Sequence, residues 1–155
     1  MKIYNNNIME CHPKPYSIIL YCTSWIYYFA MIVGLYQEIY DLALYTGAVW
    51  LTSINFWREP DLSWRYYLDI TVVRSGILYH LIRGFDCNNY IPFYIILISG
   101  LVCYIPSYYY CYKKEYLIST IYHALLHIIT GIGLIYLYIH NVVPIKKSYI
   151  WNIID

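Results

Sequence analysis

Residues 121–129, IYHALLHII, place His123 and His127 four apart within a run of isoleucine and leucine. Four residues is about one helical turn, so the two imidazoles share a face. Imidazoles in an apolar segment need partners, since buried polar groups left unpaired are costly. One partner is a metal, because two nitrogens from one helical face form part of a zinc site. The plainer alternatives are core histidines hydrogen-bonded across helices, or a proton relay. Three other polar residues fall in apolar surroundings: Ser53, Asn55 and Asp69. An ionisable residue inside a membrane span is expensive and marks a functional site by default.

Composition sets the environment of these residues. Of 155 residues, 61% are hydrophobic and 12% charged, with 23 tyrosines and 4 phenylalanines. Soluble domains carry about 25% charged residues, so this chain reads as a membrane protein, with lipids as its first partners. Its net charge of +1 gives no basic footprint for nucleic acid. Five cysteines without a CxxC pattern predict mostly free thiols.

Five apolar stretches define an all-α, multi-pass transmembrane bundle, with helices expected at roughly 17–36, 40–57, 66–83, 91–110 and 116–139. Pro106 is expected to kink or end the fourth. Continuous apolar runs rather than alternating ones argue against a β-barrel. Residues 1–16 read as a polar, poorly ordered tail and 140–155 as a second short tail, leaving 17–139 as one helical domain. Short connections predict neighbouring helices in one bundle. Trp57 and Trp64 are expected at headgroup level. Arg65 and Arg74 are candidate partners for Asp69.

Six lysines and arginines flank the spans on the N-terminal side: Lys2, Lys14, Arg58, Arg65, Lys113 and Lys114. Arg83, Lys146 and Lys147 flank the other side. This balance predicts a cytoplasmic N-terminus. The same topology puts Ser53, Asp69, His123 and His127 in the half of the membrane nearer the N-terminal side. On the third helix Asp69, Val73, Gly76 and His80 form one stripe. On the last, His123, His127, Thr130, Gly131 and Leu134 form another. Gly76 and Gly131 allow close helix approach. His80 and His140 fall toward the opposite surface.

The set SINFW (53–57), Asp69 in YYLD, and HALLH (123–127) resembles the CREST superfamily of membrane hydrolases, which includes alkaline ceramidases and adiponectin-type receptors. The family pattern is Ser-x3-His, then an Asp, then His-x3-His on the last helix. The resemblance implies zinc held by histidines, with Ser and Asp beside it. It assigns Ser53 and Asp69 catalytic roles and makes His123 and His127 metal ligands. Trp57 stands at the remaining ligand position, and an indole cannot coordinate a metal, so Asp69 becomes either the third ligand or the residue that orients a histidine through its other nitrogen. The implied activity is hydrolysis of a lipid amide or ester. The rival expectation is a non-catalytic scaffold or accessory subunit within a larger membrane complex, with partner subunits. A small transporter or proton pathway is the third. No GxSxG, HExxH, Walker or dinucleotide pattern occurs.

Overall fold

The computed structural model describes residues 12–140, 142 and 143. Seven helices run in the order α1 Tyr16–Thr23, α2 Trp25–Tyr36, α3 Tyr40–Arg58, α4 Trp64–Gly84, α5 Tyr90–Val102, α6 Tyr104–Tyr112 and α7 Tyr116–Ile139. Two pairs are nearly continuous, so the chain forms the five helical rods that the apolar stretches predict. The break between α1 and α2 falls where the hydroxyls of Thr23 and Ser24 both turn back to the Leu20 carbonyl, at 3.2 and 2.8 Å. Such back-bonding bends helices. The break between α5 and α6 falls at Cys103, three residues before Pro106. Proline has no N–H, and its ring meets the carbonyl four residues earlier, here Val102, the last residue of α5.

Helix α7 is the centre of the bundle and packs against α1, α2, α5 and α6, while α3 packs against α1, α2 and α4. Two glycines permit the closest approaches. A Cβ at Gly131 of α7 would lie 2.5 Å from Ile26 of α2. One at Gly100 of α5 would lie 3.1 Å from the Thr130 backbone nitrogen. The turns after α2 and α6 close in the same way. Ile39 N–H reaches the Gly34 carbonyl and Glu115 N–H reaches that of Tyr110, at 3.0 and 2.9 Å. Glu38 and Lys114 there take the left-handed conformation, at φ 60° and 62°.

Three rods, Tyr16–Tyr36, Tyr90–Tyr112 and Tyr116–Ile139, are long and apolar enough to cross a membrane. Helix α4 is less apolar because it carries Arg65, Asp69, Arg74, His80 and Arg83. Asp69, Val73, Gly76 and His80 all line an internal cavity. Its outer surface still exposes Tyr67, Leu68, Leu78 and Ile82, and α3 exposes Leu44 and Leu51.

At the end of the bundle away from Trp57, Arg83 is buried at 1% exposure. Its Nε donates to Asp41 at 2.8 Å, Nη1 to Asp86, and Nη2 to the Val143 carbonyl at 2.9 Å. Val142 pairs antiparallel with Cys87, so the start of the C-terminal tail is fastened to the α4–α5 loop.

Several expectations change. The end of the N-terminal tail is packed, not loose: His12 is buried, while residues 1–11 lie outside the described part. Trp57 is 6% exposed and belongs to the interior, whereas Trp64 is exposed. Arg65 pairs with Asp61 at 2.6 Å and Glu59 at 3.6 Å, not with Asp69. Arg74 makes no ion pair among the described residues and lines the cavity. Cys22, Cys87 and Cys103 are free thiols. Cys111 is disulfide-bonded, and Cys11 lies outside the described residues.

Candidate functional site

A cavity of about 430 Å³ lies inside the ring of helices, and its wall draws on α2 to α7 and on His12. Most of that wall is apolar, including Val49, Phe56, Leu97 and Leu134. Ser53, Asp69, His123 and His127 all reach it. An apolar cavity with a few convergent polar groups is the usual form of a small-molecule site.

The polar groups form two sets. In the first, Ser53 Oγ on α3 donates to Asp69 Oδ1 on α4 at 2.8 Å, and Thr52 Oγ1 donates to the same oxygen at 2.9 Å. Asp69 Oδ2 accepts no hydrogen bond from the described residues. The carboxylate is therefore oriented through one oxygen and keeps the other as a free acceptor. Neither His123 nor His127 bonds to Asp69, whose partners both come from α3.

The second set gathers around Trp57. His123 and His127 stack edge-on with ring centres 5.0 Å apart, as their spacing on α7 predicts. The Trp57 ring lies 5.2 Å from His123 and 6.4 Å from His127. A third imidazole completes the group. His12 lies 5.3 Å from His123 and 5.4 Å from Trp57. Burial lowers the His12 pKa to about 4, so this ring is neutral at pH 7.

Hydroxyls hold the three rings. His12 Nδ1 lies 3.0 Å from Thr120 Oγ1, His123 Nδ1 3.4 Å from Ser107 Oγ, and His127 Nδ1 3.0 Å from Thr23 Oγ1. The Thr23 and Ser24 hydroxyls beside His127 also lie 3.2 and 2.8 Å from the Leu20 carbonyl. As the side chains stand, no three His, Cys, Asp or Glu residues among those described are arranged to hold a metal ion.

His12, Thr23, Ser107 and Thr120 were not legible as site residues in the sequence. His12 sits in a polar segment with no periodicity, and the hydroxyl residues look like ordinary helix-packing positions. His80 and His140 lie apart from this cluster, as expected. His80 bonds to Thr46 and Tyr138 at 3.2 and 2.8 Å, and His140 to the Tyr136 carbonyl at 2.8 Å.

Compared with models of protein families, with curated proteins and with solved structures, the chain finds no match.

Proposed function

We propose that this chain is a multi-pass membrane hydrolase that cleaves an amide or ester bond of a lipid at the cavity, with zinc as its metal. The observation that carries the reading is the meeting of Ser53, Asp69, His123 and His127, from three helices, on one apolar cavity.

The donors suit zinc in kind. They are imidazoles whose Nδ1 atoms lie against the hydroxyls of Ser107 and Thr23. Ligand nitrogens at about 2.0–2.1 Å around a tetrahedral ion put ring centres roughly 5 Å apart, and His123 and His127 are 5.0 Å apart. What the side chains lack is convergence of their donor atoms: no three His, Cys, Asp or Glu residues among those described are arranged to hold a metal ion. Zinc, when bound, acts as a Lewis acid that polarises a carbonyl and makes water acidic near neutral pH. The chain supplies the rest. Asp69, held by two hydroxyls at Oδ1, presents Oδ2 to take a proton from water. Ser53 keeps that carboxylate in place. The apolar wall accepts the lipid chain and excludes bulk water.

All five rods are read as crossing the membrane, because α3 and α4 bring Ser53, Asp69 and His80 to the cavity and expose Leu44, Leu51, Leu68, Leu78 and Ile82 outside it. The orientation expected from lysine and arginine is reversed in this reading. Cys111 lies near the α6–α7 turn, on the N-terminal face, and disulfides persist in oxidising compartments. That chemical requirement outweighs a bias of six basic residues against three, so the N-terminal face is placed in an oxidising compartment.

The test is elemental analysis of the purified chain together with turnover of lipid amides and esters. The expected result is one zinc per chain and hydrolysis that chelators abolish. Trp57 at the third family position, and the unconverged donors, favour one rival, a non-catalytic membrane subunit. Metal-free protein that turns over no lipid and co-purifies with a partner would establish that rival.

A further inference from the structure

Arg74 is a cation without a counterion in the middle of a helix. It lies ten residues from Trp64 and ten from Gly84, the ends of α4, or about 15 Å from each at 1.5 Å per residue. With α4 crossing the membrane as read above, its guanidinium is too deep for the headgroup layer, because snorkelling serves residues near helix ends. The carboxylates around it are engaged elsewhere. Asp69 accepts from Thr52 and Ser53, Glu59 and Asp61 pair with Arg65, and Asp41 and Asp86 pair with Arg83.

Arg74, Tyr104 and Tyr108 are exposed and also line the cavity. Residues that do both mark an opening, here between α4 and α6. The packing agrees. Helix α4 packs against α3 and α5, and it meets α5 near the loop that joins them. There the Tyr94 hydroxyl donates to the Leu81 carbonyl at 2.6 Å, and Phe93 lies against Gly84. Nearer Trp64, the opening faces the surrounding lipid. Inside it, beside and beyond Arg74, the wall is apolar: Val73, Ile77, Leu97, Leu101 and Leu134. The cavity's volume of about 430 Å³ is near the lower end for ligand sites, about 300–1,000 Å³, and suits one alkyl chain rather than two.

We propose that the opening between α4 and α6 admits a single-chain lipid anion from the membrane, its carboxylate or phosphate head on Arg74 and its chain along the apolar wall. The inference shares the membrane placement and the cavity of the reading above, and it needs neither zinc nor cleavage. An alkyl chain gains little by leaving lipid for an apolar cavity, since lipid tails are as apolar as leucine. The head therefore decides the affinity. A planar guanidinium with several N–H donors suits either a carboxylate or a phosphate. Asp69 lies five residues nearer Trp64 on α4, so a chain running toward Leu134 leads away from its charge.

The experiment measures binding of radiolabelled oleate, oleoyl lysophosphatidate and oleyl alcohol to the full chain in phosphatidylcholine nanodiscs, each against empty nanodiscs. The three probes share one chain and differ in the head. The expected result is saturable binding of at least one of the two anions, the tighter of which names the head, and weak binding of the alcohol. Arg74→Gln should weaken the anion by roughly 10- to 100-fold, the range for a lost charge-assisted hydrogen bond, and leave the alcohol unchanged. Arg74→Lys should keep part of the affinity. Both variants change an exposed position, so neither threatens the core. Ile77→Trp, which fills the cavity beside Arg74, should remove binding with the arginine intact. Equal binding of alcohol and anions, or an anion affinity unchanged in Arg74→Gln, overturns the proposal. Anion binding that survives Ile77→Trp leaves the chain in the bilayer and also overturns it. A chain that binds the anion without zinc or turnover overturns the hydrolase reading alone. One that turns over lipid but binds neither anion overturns this inference alone.

Discussion

Ser53 on α3 and Asp69 on α4 are joined across the cavity wall by a 2.8 Å hydrogen bond from Oγ to Oδ1. Thr52 donates to the same oxygen, so the loss of Ser53 leaves the carboxylate one donor. Ser53→Ala should therefore cost about 1 kcal/mol of stability, and Asp69→Ala about 1–3 kcal/mol, because it leaves the buried Ser53 hydroxyl unpaired. Thermal unfolding in detergent checks both. Under the hydrolase reading, Asp69→Asn should abolish turnover while zinc content stays unchanged. Turnover near the wild-type level would remove Asp69 from the reaction.

Arg83 is the largest stability risk outside the site. It is buried and neutralises Asp41 and Asp86 together. Replacing it with methionine removes the guanidinium from both Asp41 and Asp86. Breaking a buried pair in this way typically costs about 3–5 kcal/mol. Arg83→Met should fold poorly or unfold well below the wild-type temperature. Asp41→Asn should be milder, since Asp86 still pairs with the guanidinium.

Gly131 sets the distance between α2 and α7. A Cβ there would press on Ile26 at 2.5 Å, and overpacking of this kind costs about 1–3 kcal/mol. Gly131→Ala should lower the unfolding temperature. Ile26→Ala in the same chain should recover part of the loss, because it removes the atoms that clash. An additive double variant would show that the two helices do not meet there.

Glu38 closes the α2–α3 turn at φ 60°. A left-handed residue with a Cβ costs roughly 1–2 kcal/mol, partly offset by the greater chain entropy of glycine. Glu38→Gly should raise stability by about 0.5–1 kcal/mol and leave zinc content unchanged. Denaturant unfolding of the two proteins side by side measures the difference.

The sequence by itself determined the five helical rods, the kink ahead of Pro106 and the inward stripe of α4. Each follows from local chemistry: uninterrupted apolar runs, a missing N–H, and a polar residue recurring at helical spacing. It also determined that His123 and His127 share a face, since both lie on one helix. Only the tertiary structure decided what surrounds them. His12 meets Thr120 across 108 positions of chain, and Thr23 meets His127 across 104. No periodicity encodes such contacts. The burial of Trp57 was equally hidden, because a tryptophan at a helix end suits the headgroup layer as well as the interior. What placed it inside was its packing against Leu20 of α1 and Ala124 and His123 of α7, with His12 at the ring.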